Sequence, residues 1–282
     1  MSQDLAITPP GIAPPPLSCD THAHIFGPAA LYPFAADRDW TPPARPVDAY
    51  AAMLDTLGMS RGVIVHSSSH GTDNSVTLDA IERMKGRCLG IAVLSPEISD
   101  SELERLAAGG MRGVRISTML KSSMGVRHID GMAGRFKDLG WNIQLHFDSA
   151  EEIIALAPMI RRLPVPVVFD HMGRARGGNG LKHPAFQILL GLLRDCDHCW
   201  VKISSWYRLS DQGPPYEDMR TLAEAVIEAR VDRVLWGSNW PHPLLKGPPP
   251  DDGRLLHQFQ QWAGDARTTI LVDNPAKLFG FQ

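Results

Sequence analysis

Short apolar runs alternate with amphipathic segments along most of the chain. The apolar runs have the length of buried parallel strands, which are apolar on both faces. They lie at residues 18–22, 62–66, 88–94, 111–116, 141–147, 165–170, 200–204 and 233–237. Their regular spacing predicts parallel β-strands that are joined by helices.

The segments between the runs carry apolar residues at helical spacing. Helices are predicted at residues 48–57, 74–84, 100–108, 150–161, 184–193 and 217–229. Ser99 or Asp100 is expected to cap the third of these helices, and Asp148 or Ser149 the helix at 150–161. No glycine-rich phosphate loop follows the first strand, as it would in a doubly wound sheet. The α/β pattern therefore predicts a closed (β/α)8 TIM barrel.

The first 17 residues are rich in proline, which excludes a helix or a central strand there. We expect an extended N-terminal arm at residues 1–17 and a single barrel domain with the catalytic site at residues 18–282. The segment lacks the basic and apolar regions of a signal peptide.

Composition narrows the range of partners. A net charge of −3 over 282 residues provides no basic field for nucleic acid or an anionic membrane. The four cysteines are scattered, which favours a reducing cytoplasm over a disulfide framework. We expect a small-molecule substrate, no nucleic-acid or membrane partner, and a cytoplasmic protein, and we leave a homo-oligomer open.

Polar side chains stand where the apolar runs end. In a barrel these strand ends meet at one mouth, where catalysis occurs. His22 and His24 are alternate residues, so both should face this mouth and could bind a metal or polarise a carbonyl. Arg115 interrupts a buried strand and must either pair with an aspartate or bind a substrate carboxylate, and its forked geometry favours the carboxylate. Asp170 is expected to orient a neighbour by hydrogen bonding.

Three motifs at these strand ends carry a family resemblance. They are Asp20-Thr-His22-Ala-His24, Asp170-His171-Met-Gly-Arg174 and Trp236-Gly-Ser-Asn239-Trp-Pro-His242-Pro. The chain resembles the amidohydrolase superfamily, and within it the lactonase branch that includes pyrone dicarboxylate lactonases, sulfomuconolactone hydrolases and a galactarolactone isomerase. The resemblance runs from about Pro15 to Leu278, with shorter matches at residues 69–74, 113–115, 214–216 and 274–275.

The resemblance implies hydrolysis of a small anionic lactone, carboxylated or sulfonated, to the open-chain acid. It implies that His22, His24 and His171 polarise the lactone carbonyl and that position 239 is the position of the base. The candidate substrate-binding residues are Ser68, Arg115, Lys121, His146, Arg208 and His242.

The chain departs from the pyrone lactonases at three positions. Asn239 replaces their aspartate, and a neutral amide cannot take a proton at physiological pH. His146 replaces a tyrosine, so that His22, His24, His146 and His171 together could hold zinc, although we expect no cofactor. Lys121 replaces an arginine and keeps its charge without the bidentate fork.

Asn239 keeps other functions open. The chain could be a lactone isomerase on sugar-acid lactones with Asn239 native, or a catalytically impaired Asp-to-Asn variant of a lactonase. A metal-dependent decarboxylase and a ligand-binding barrel without catalysis are further alternatives. Acid release, carbon dioxide release and binding without turnover would distinguish them.

Overall fold

The computed structural model describes residues 7–119 and 124–281. Eight parallel strands lie side by side in chain order. They are β1 (Cys19–Ala23), β2 (Arg61–Val65), β3 (Cys88–Ala92), β4 (Met111–Ser117), β5 (Asn142–His146), β6 (Val167–Phe169), β7 (Cys199–Ile203) and β8 (Val234–Trp236). This order agrees with the predicted strand sequence.

The first and last strands meet just beyond their ladders. Ala23 forms a parallel bridge with Trp240, and the backbone N–H of Asn239 donates to the His22 carbonyl over 2.8 Å. The Asp20 carboxylate accepts the backbone N–H of Ser238 at 2.9 Å and its hydroxyl at 2.7 Å. These contacts nearly close the sheet, which confirms the predicted barrel.

Helices follow most of the strands. They are α1 (Val47–Leu57), α2 (Ser75–Arg83), α3 (Asp100–Ala108), α4 (Ile129–Asp138), α5 (Glu152–Ile160), α6 (Pro184–Asp195), α7 (Trp206–Leu209), α8 (Glu217–Arg230), α9 (Asp252–Ala263) and α10 (Asn274–Phe279). Short 3-10 turns lie at Ser68–His70, Val126–His128, Asp170–Arg174, Gly177–Asn179, Val231–Arg233 and Gly264–Ala266, and a π-helical turn at Thr269–Asp273. In the described part of the chain, no helix is long and apolar enough to cross a bilayer.

The six predicted helices are present with small shifts at their ends, while α4, α7, α9 and α10 were not predicted. Ser99 caps α3 by accepting the Glu102 N–H, as expected. The predicted cap of α5 is wrong, because Glu151 occupies that position without a side-chain cap. The backbone N–H groups of Asp148 and Ser149 instead donate to the Glu152 carboxylate at 3.1 Å.

Two apolar clusters support the barrel. The larger lies between strands and helices. A smaller cluster takes side chains from six strands: Cys19, Val63, Val65, Ile91, Val168, Trp200 and Leu235. Val168 and Trp200 lie two residues before Asp170 and Lys202, and alternate strand residues share a face. The polar residues of the candidate site therefore continue the face that carries this smaller cluster.

The segment before β1 forms no helix or strand from residue 7 to residue 18. It lies against α9, because Thr8 donates its backbone N–H and its hydroxyl to Asp251 at 3.1 and 2.8 Å. Gln260 donates to the Ile12 carbonyl over 2.7 Å.

Candidate active site

A cavity opens at the carboxyl ends of the strands. Most of the predicted site residues line it: His24, Ser68, Arg115, His146, His171, Arg208 and Asn239. His22 lies directly beside His24, fully buried. His242 lines a neighbouring groove and not this cavity. Lys121 lies outside the described residues.

The hydrogen-bond partners of His22 and His24 define one consistent arrangement of protons. The Nδ1 of His24 lies 2.7 Å from the Val65 carbonyl, which can only accept, so this Nδ1 carries the proton. The two Nε2 atoms lie 3.3 Å apart, so His22 donates through Nε2 and His24 accepts. The Nδ1 of His22 then accepts from Lys202 Nζ at 3.1 Å.

Both imidazoles are neutral at neutral pH. Burial is the main cause: it holds the pKa of His22 well below its ordinary value and lowers that of His24 to about 3. Hydrogen bonds therefore run in one direction, from Lys202 through His22 and His24 to Val65.

A buried cluster of charged side chains lies beside the Nδ1 atom of His22. The Oδ2 of Asp170 accepts from Arg115 Nε at 2.9 Å, and its Oδ1 lies 3.2 Å from Lys202 Nζ and 3.3 Å from His22 Nδ1. Lys202 also donates to Gln144 at 2.6 Å. Burial acts to raise the pKa of Asp170, but Lys202, His22 and Arg115 outweigh it and hold this pKa well below its ordinary value.

The sequence favoured a substrate carboxylate over an aspartate as the partner of Arg115, but the structure shows that an aspartate is paired with it. Its guanidinium pairs with Asp170, the arrangement that the sequence reasoning ranked second, because a buried arginine needs a counter-charge. It also lines the cavity, so binding of a substrate carboxylate stays a prediction. Asp170 accepts a hydrogen bond from Arg115 and lies beside Lys202, so it orients a neighbour by hydrogen bonding as the sequence predicted.

His171 enters the cavity on a turn that directly follows β6. His171 and Met172 adopt φ values of 52° and 51°, which cost energy for residues with a side chain and recur at functional sites. The His171 Nδ1 lies 2.7 Å from the Ser204 hydroxyl. The His146 Nδ1 lies 3.0 Å from the Ser117 hydroxyl. Burial lowers the pKa of both histidines.

The wall beyond β8 holds Asn239, with a φ of 62°. Its Nδ2 donates to the Tyr207 oxygen at 3.1 Å. That oxygen lies 2.7 Å from His242 Nδ1. The predicted substrate-binding residue His242 thus contacts the same phenol oxygen as Asn239.

Cations surround the cavity. Arg115, Arg174 and Arg208 all line it. The guanidinium of Arg208 contacts the Pro243 carbonyl and lies 5.7 Å from the centre of the Tyr207 ring. Its buried Nε has no partner among the described residues. An anion with several oxygen atoms fits such a wall, because arginine donors match carboxylates and sulfonates.

Sequence reasoning placed Lys202 among the polar residues at the end of the seventh strand but gave it no role, and it did not select Arg174 or Tyr207 as site residues. Lys202 did leave a signal, because it places a charge inside an otherwise apolar strand. Arg174 belongs to the quoted motif after β6, but its direction depends on the left-handed turn. Nothing in the local pattern marks Tyr207, since its role depends on residues 32 and 35 positions away in the chain.

Part of this site could hold a divalent metal. Ligand atoms of His22, Asp170 and His171 all lie within 4.8 Å of one another. The Nε2 atoms of His22 and His24, 3.3 Å apart, match two ligands of a tetrahedral zinc ion, which lie about 3.3 Å apart at Zn–N distances of about 2.0–2.1 Å. The group of three includes Asp170, which the predicted four-histidine set omitted, and leaves out His24 and His146.

The family model described as Amidohydrolase matches residues 19–281. The chain belongs to the amidohydrolase family. This membership confirms the resemblance drawn from the strand-end motifs.

Individual relatives place this amidohydrolase among lactone-processing enzymes. It is 40% identical over 279 residues to a 4-sulfomuconolactone hydrolase of Rhizobium radiobacter, covering 96% of this chain and 93% of the relative. It is 28% identical to a D-galactarolactone isomerase of Agrobacterium fabrum, covering 98% and 95%. It resembles the crystal structure of a probable 2-pyrone-4,6-dicarboxylic acid hydrolase of Acinetobacter baumannii with citric acid bound, with 28% identity, a TM-score of 0.80 and coverage of 94% and 100%.

Proposed function

We propose that this amidohydrolase hydrolyses a small anionic lactone to the open-chain acid. The observation that carries the proposal is a single cavity lined by His24, His171, Arg115, Arg174 and Arg208. Imidazoles can polarise a lactone carbonyl, and guanidinium groups neutralise acidic substituents. The similarity to a sulfomuconolactone hydrolase supports the same class of substrate.

In this proposal His22, His24 and His171 surround the carbonyl oxygen. The Nε2–H of His22 is a donor at the centre of the histidine cluster, and the charged Lys202 behind it favours that proton position. Arg115 and Arg208 bind the carboxylate or sulfonate. Ser68 and His146 line the remaining wall, where they would fix the orientation of the ring.

A panel of lactones tests the proposal. We expect carboxylated and sulfonated lactones to be opened with a kcat/KM at least about tenfold above that of their neutral methyl esters, because hydrogen bonds to charged groups contribute about 1.5–3 kcal/mol. Acid release in weakly buffered solution and mass spectrometry of the open-chain product give the measurement. Absence of acid release from every anionic lactone would contradict the proposal.

Whether the reaction needs a metal ion is a separate question with its own experiment. A bound divalent ion would be held by His22, His24 and His171 together with Asp170, and it would polarise the carbonyl as a Lewis acid. Our proposal requires none, because Lys202 donates to His22 and because Lys202 and Arg115 add positive charge around Asp170.

We expect purified enzyme treated with a strong chelator to keep its activity, and elemental analysis to find far less than one metal ion per chain. Loss of activity that stoichiometric zinc restores would assign a metal to the three histidines instead. The His22→Asn variant would then also lose its zinc.

A lactone isomerase is the second candidate. Asn239 favours it, since isomerisation uses a substrate hydroxyl as the nucleophile and releases no net acid, and an isomerase is among the relatives. Proton NMR of sugar-acid lactones would show conversion of one ring form into another without a fall in pH. Hydrolysis would release acid from the same samples.

A further inference from the structure

Three side chains form a hydrogen-bonded row behind Asn239. Tyr207 comes from α7, His242 from the loop after β8, and Asp252 from the first turn of α9. The Tyr207 oxygen lies 2.7 Å from His242 Nδ1, and His242 Nε2 lies 3.4 Å from Asp252 Oδ2. His242 and Asp252 are buried. We call these three residues the Tyr207 relay.

The relay has a defined direction. A carboxylate only accepts, so His242 donates to Asp252 through Nε2, and one proton lies between the Tyr207 oxygen and His242 Nδ1. The remaining lone pairs of the phenol oxygen face Asn239, whose Nδ2 donates to it. The phenol therefore presents an acceptor toward a residue of the cavity wall.

The charges around the relay favour movement of the phenol proton toward His242. Burial acts to lower the pKa of His242, but Tyr207 and Asp252 outweigh it and raise this pKa to about 9. Burial acts to raise the pKa of Tyr207, but His242 and Arg208 outweigh it and lower that pKa. The charged and titratable groups around the phenol are His242, Arg208, Tyr216 and, through His242, Asp252.

We propose that Tyr207, backed by His242 and Asp252, accepts the proton of the nucleophile, which the amide of Asn239 cannot take. This inference rests on the proposed function. The nucleophile replaces the Asn239 N–H as the donor to the phenol oxygen. A carboxylate at position 239 is then not required for catalysis.

The attacking water gives one proton to the Tyr207 oxygen while the proton shared by Tyr207 and His242 stays on His242 Nδ1, and the water oxygen forms a bond to the lactone carbonyl carbon. The ring C–O bond breaks, and the leaving oxygen takes back one proton from His242 through Tyr207. The product is the open-chain acid. In an isomerase the attacking group is a substrate hydroxyl, and the same transfers apply.

The first test compares Tyr207→Phe, which removes the contacts with Asn239 and His242, with Tyr32→Phe, which removes a phenol hydroxyl beside Asp79. We expect Tyr207→Phe to lower kcat at least about 100-fold, as loss of general base catalysis does, with KM changed less than about threefold. Tyr32→Phe should keep kcat.

A second substitution then shows whether Tyr207 acts as the general base or only positions the residues around it. Tyr207→Phe combined with Asn239→Asp should regain at least about tenfold in kcat, because a carboxylate supplies the missing base. Unchanged kcat in Tyr207→Phe would overturn the inference. So would a raised KM with normal kcat, or a double variant as inactive as the single one.

A third measurement needs no substrate. Ultraviolet titration of the four tyrosines should show one phenol that ionises below the ordinary value of about 10. This transition should vanish in Tyr207→Phe and move upward in His242→Gln. If every tyrosine ionises at or above its ordinary value, the relay is wrong. If the wild-type protein opens no lactone, the proposed function fails, and this titration still decides the relay.

Discussion

Asp170 determines the charge balance of the site at the scale of single residues. It is fully buried and holds two cations, Arg115 at 2.9 Å and Lys202 at 3.2 Å. A buried ion pair stabilises little relative to an apolar replacement, but removal of one partner leaves an uncompensated charge in a low dielectric. The carboxylate therefore allows two cations to stand beside neutral histidines.

Asp170→Asn should reveal this dependence. We expect it to lower the free energy of unfolding by about 3–5 kcal/mol, because Arg115 and Lys202 lose their buried counter-charge. Asp55→Asn, which breaks the exposed pair with Arg87, is the matched control and should cost about 1 kcal/mol or less. Urea unfolding of both variants gives the measurement, and equal losses would refute this role of Asp170.

The sequence predicted individual site residues where chemistry and position coincide. His22, His24, His171 and Asn239 stand at strand ends in motifs, and the structure brings them to one cavity or directly beside it. Tyr207 could not be predicted in this way, because its contacts with Asn239 and His242 depend on how a four-residue helix is placed. Pairings between residues distant in the chain were the information missing from the pattern.

Strands were predicted more reliably than helices. Each strand is a compact apolar run, whereas α4 contains Gly131 and Gly134, which weaken helix formation. Its buried residues Ile129, Met132 and Phe136 keep helical spacing, so packing compensates for the poor propensity. Tertiary contacts therefore decided this element.

The connection from β2 to α2 contains a buried histidine that titrates. His66 Nδ1 lies 2.8 Å from the Thr77 hydroxyl, and its buried Nε2 has no partner among the described residues. Burial is the main cause that lowers the pKa of His66 to about 3. Because the folded-state pKa lies below the unfolded value of about 6.5, this contribution to stability is complete above pH 6.5 and declines as the pH falls toward 3.

Acidification should therefore weaken the wild-type protein through His66. Between pH 6.5 and pH 5 we expect a loss of about 2 kcal/mol in the free energy of unfolding relative to His66→Gln, at about 1.4 kcal/mol per pH unit. Urea unfolding of both proteins at the two pH values gives the difference. Parallel losses in the two proteins would show that His66 is not the titrating group.

At the scale of the whole molecule, charge is distributed unevenly. The chain carries a net charge of −3, yet the cavity is lined by Arg115, Arg174 and Arg208. Long-range attraction of an anion is therefore weak, and selectivity must come from contacts inside the cavity. The barrel brings these contacts together because its strand ends and their loops meet at one mouth. Discrimination between an anionic lactone and its neutral ester measures that local field.

Substitution of Arg208 is the most direct test of the electrostatic field inside the cavity. For Arg208→Gln we expect kcat/KM toward an anionic lactone to fall by about 10- to 150-fold, the equivalent of about 1.5–3 kcal/mol for hydrogen bonds to a charged group. The neutral methyl ester should change much less, because it makes no ion pair. Arg176→Gln, which removes a half-exposed arginine paired with Asp211, should leave both rates unchanged. An equal fall for both substrates would mean that Arg208 only positions the Tyr207 ring and the loop at Pro243. The selectivity for anions would then depend on Arg115 and Arg174.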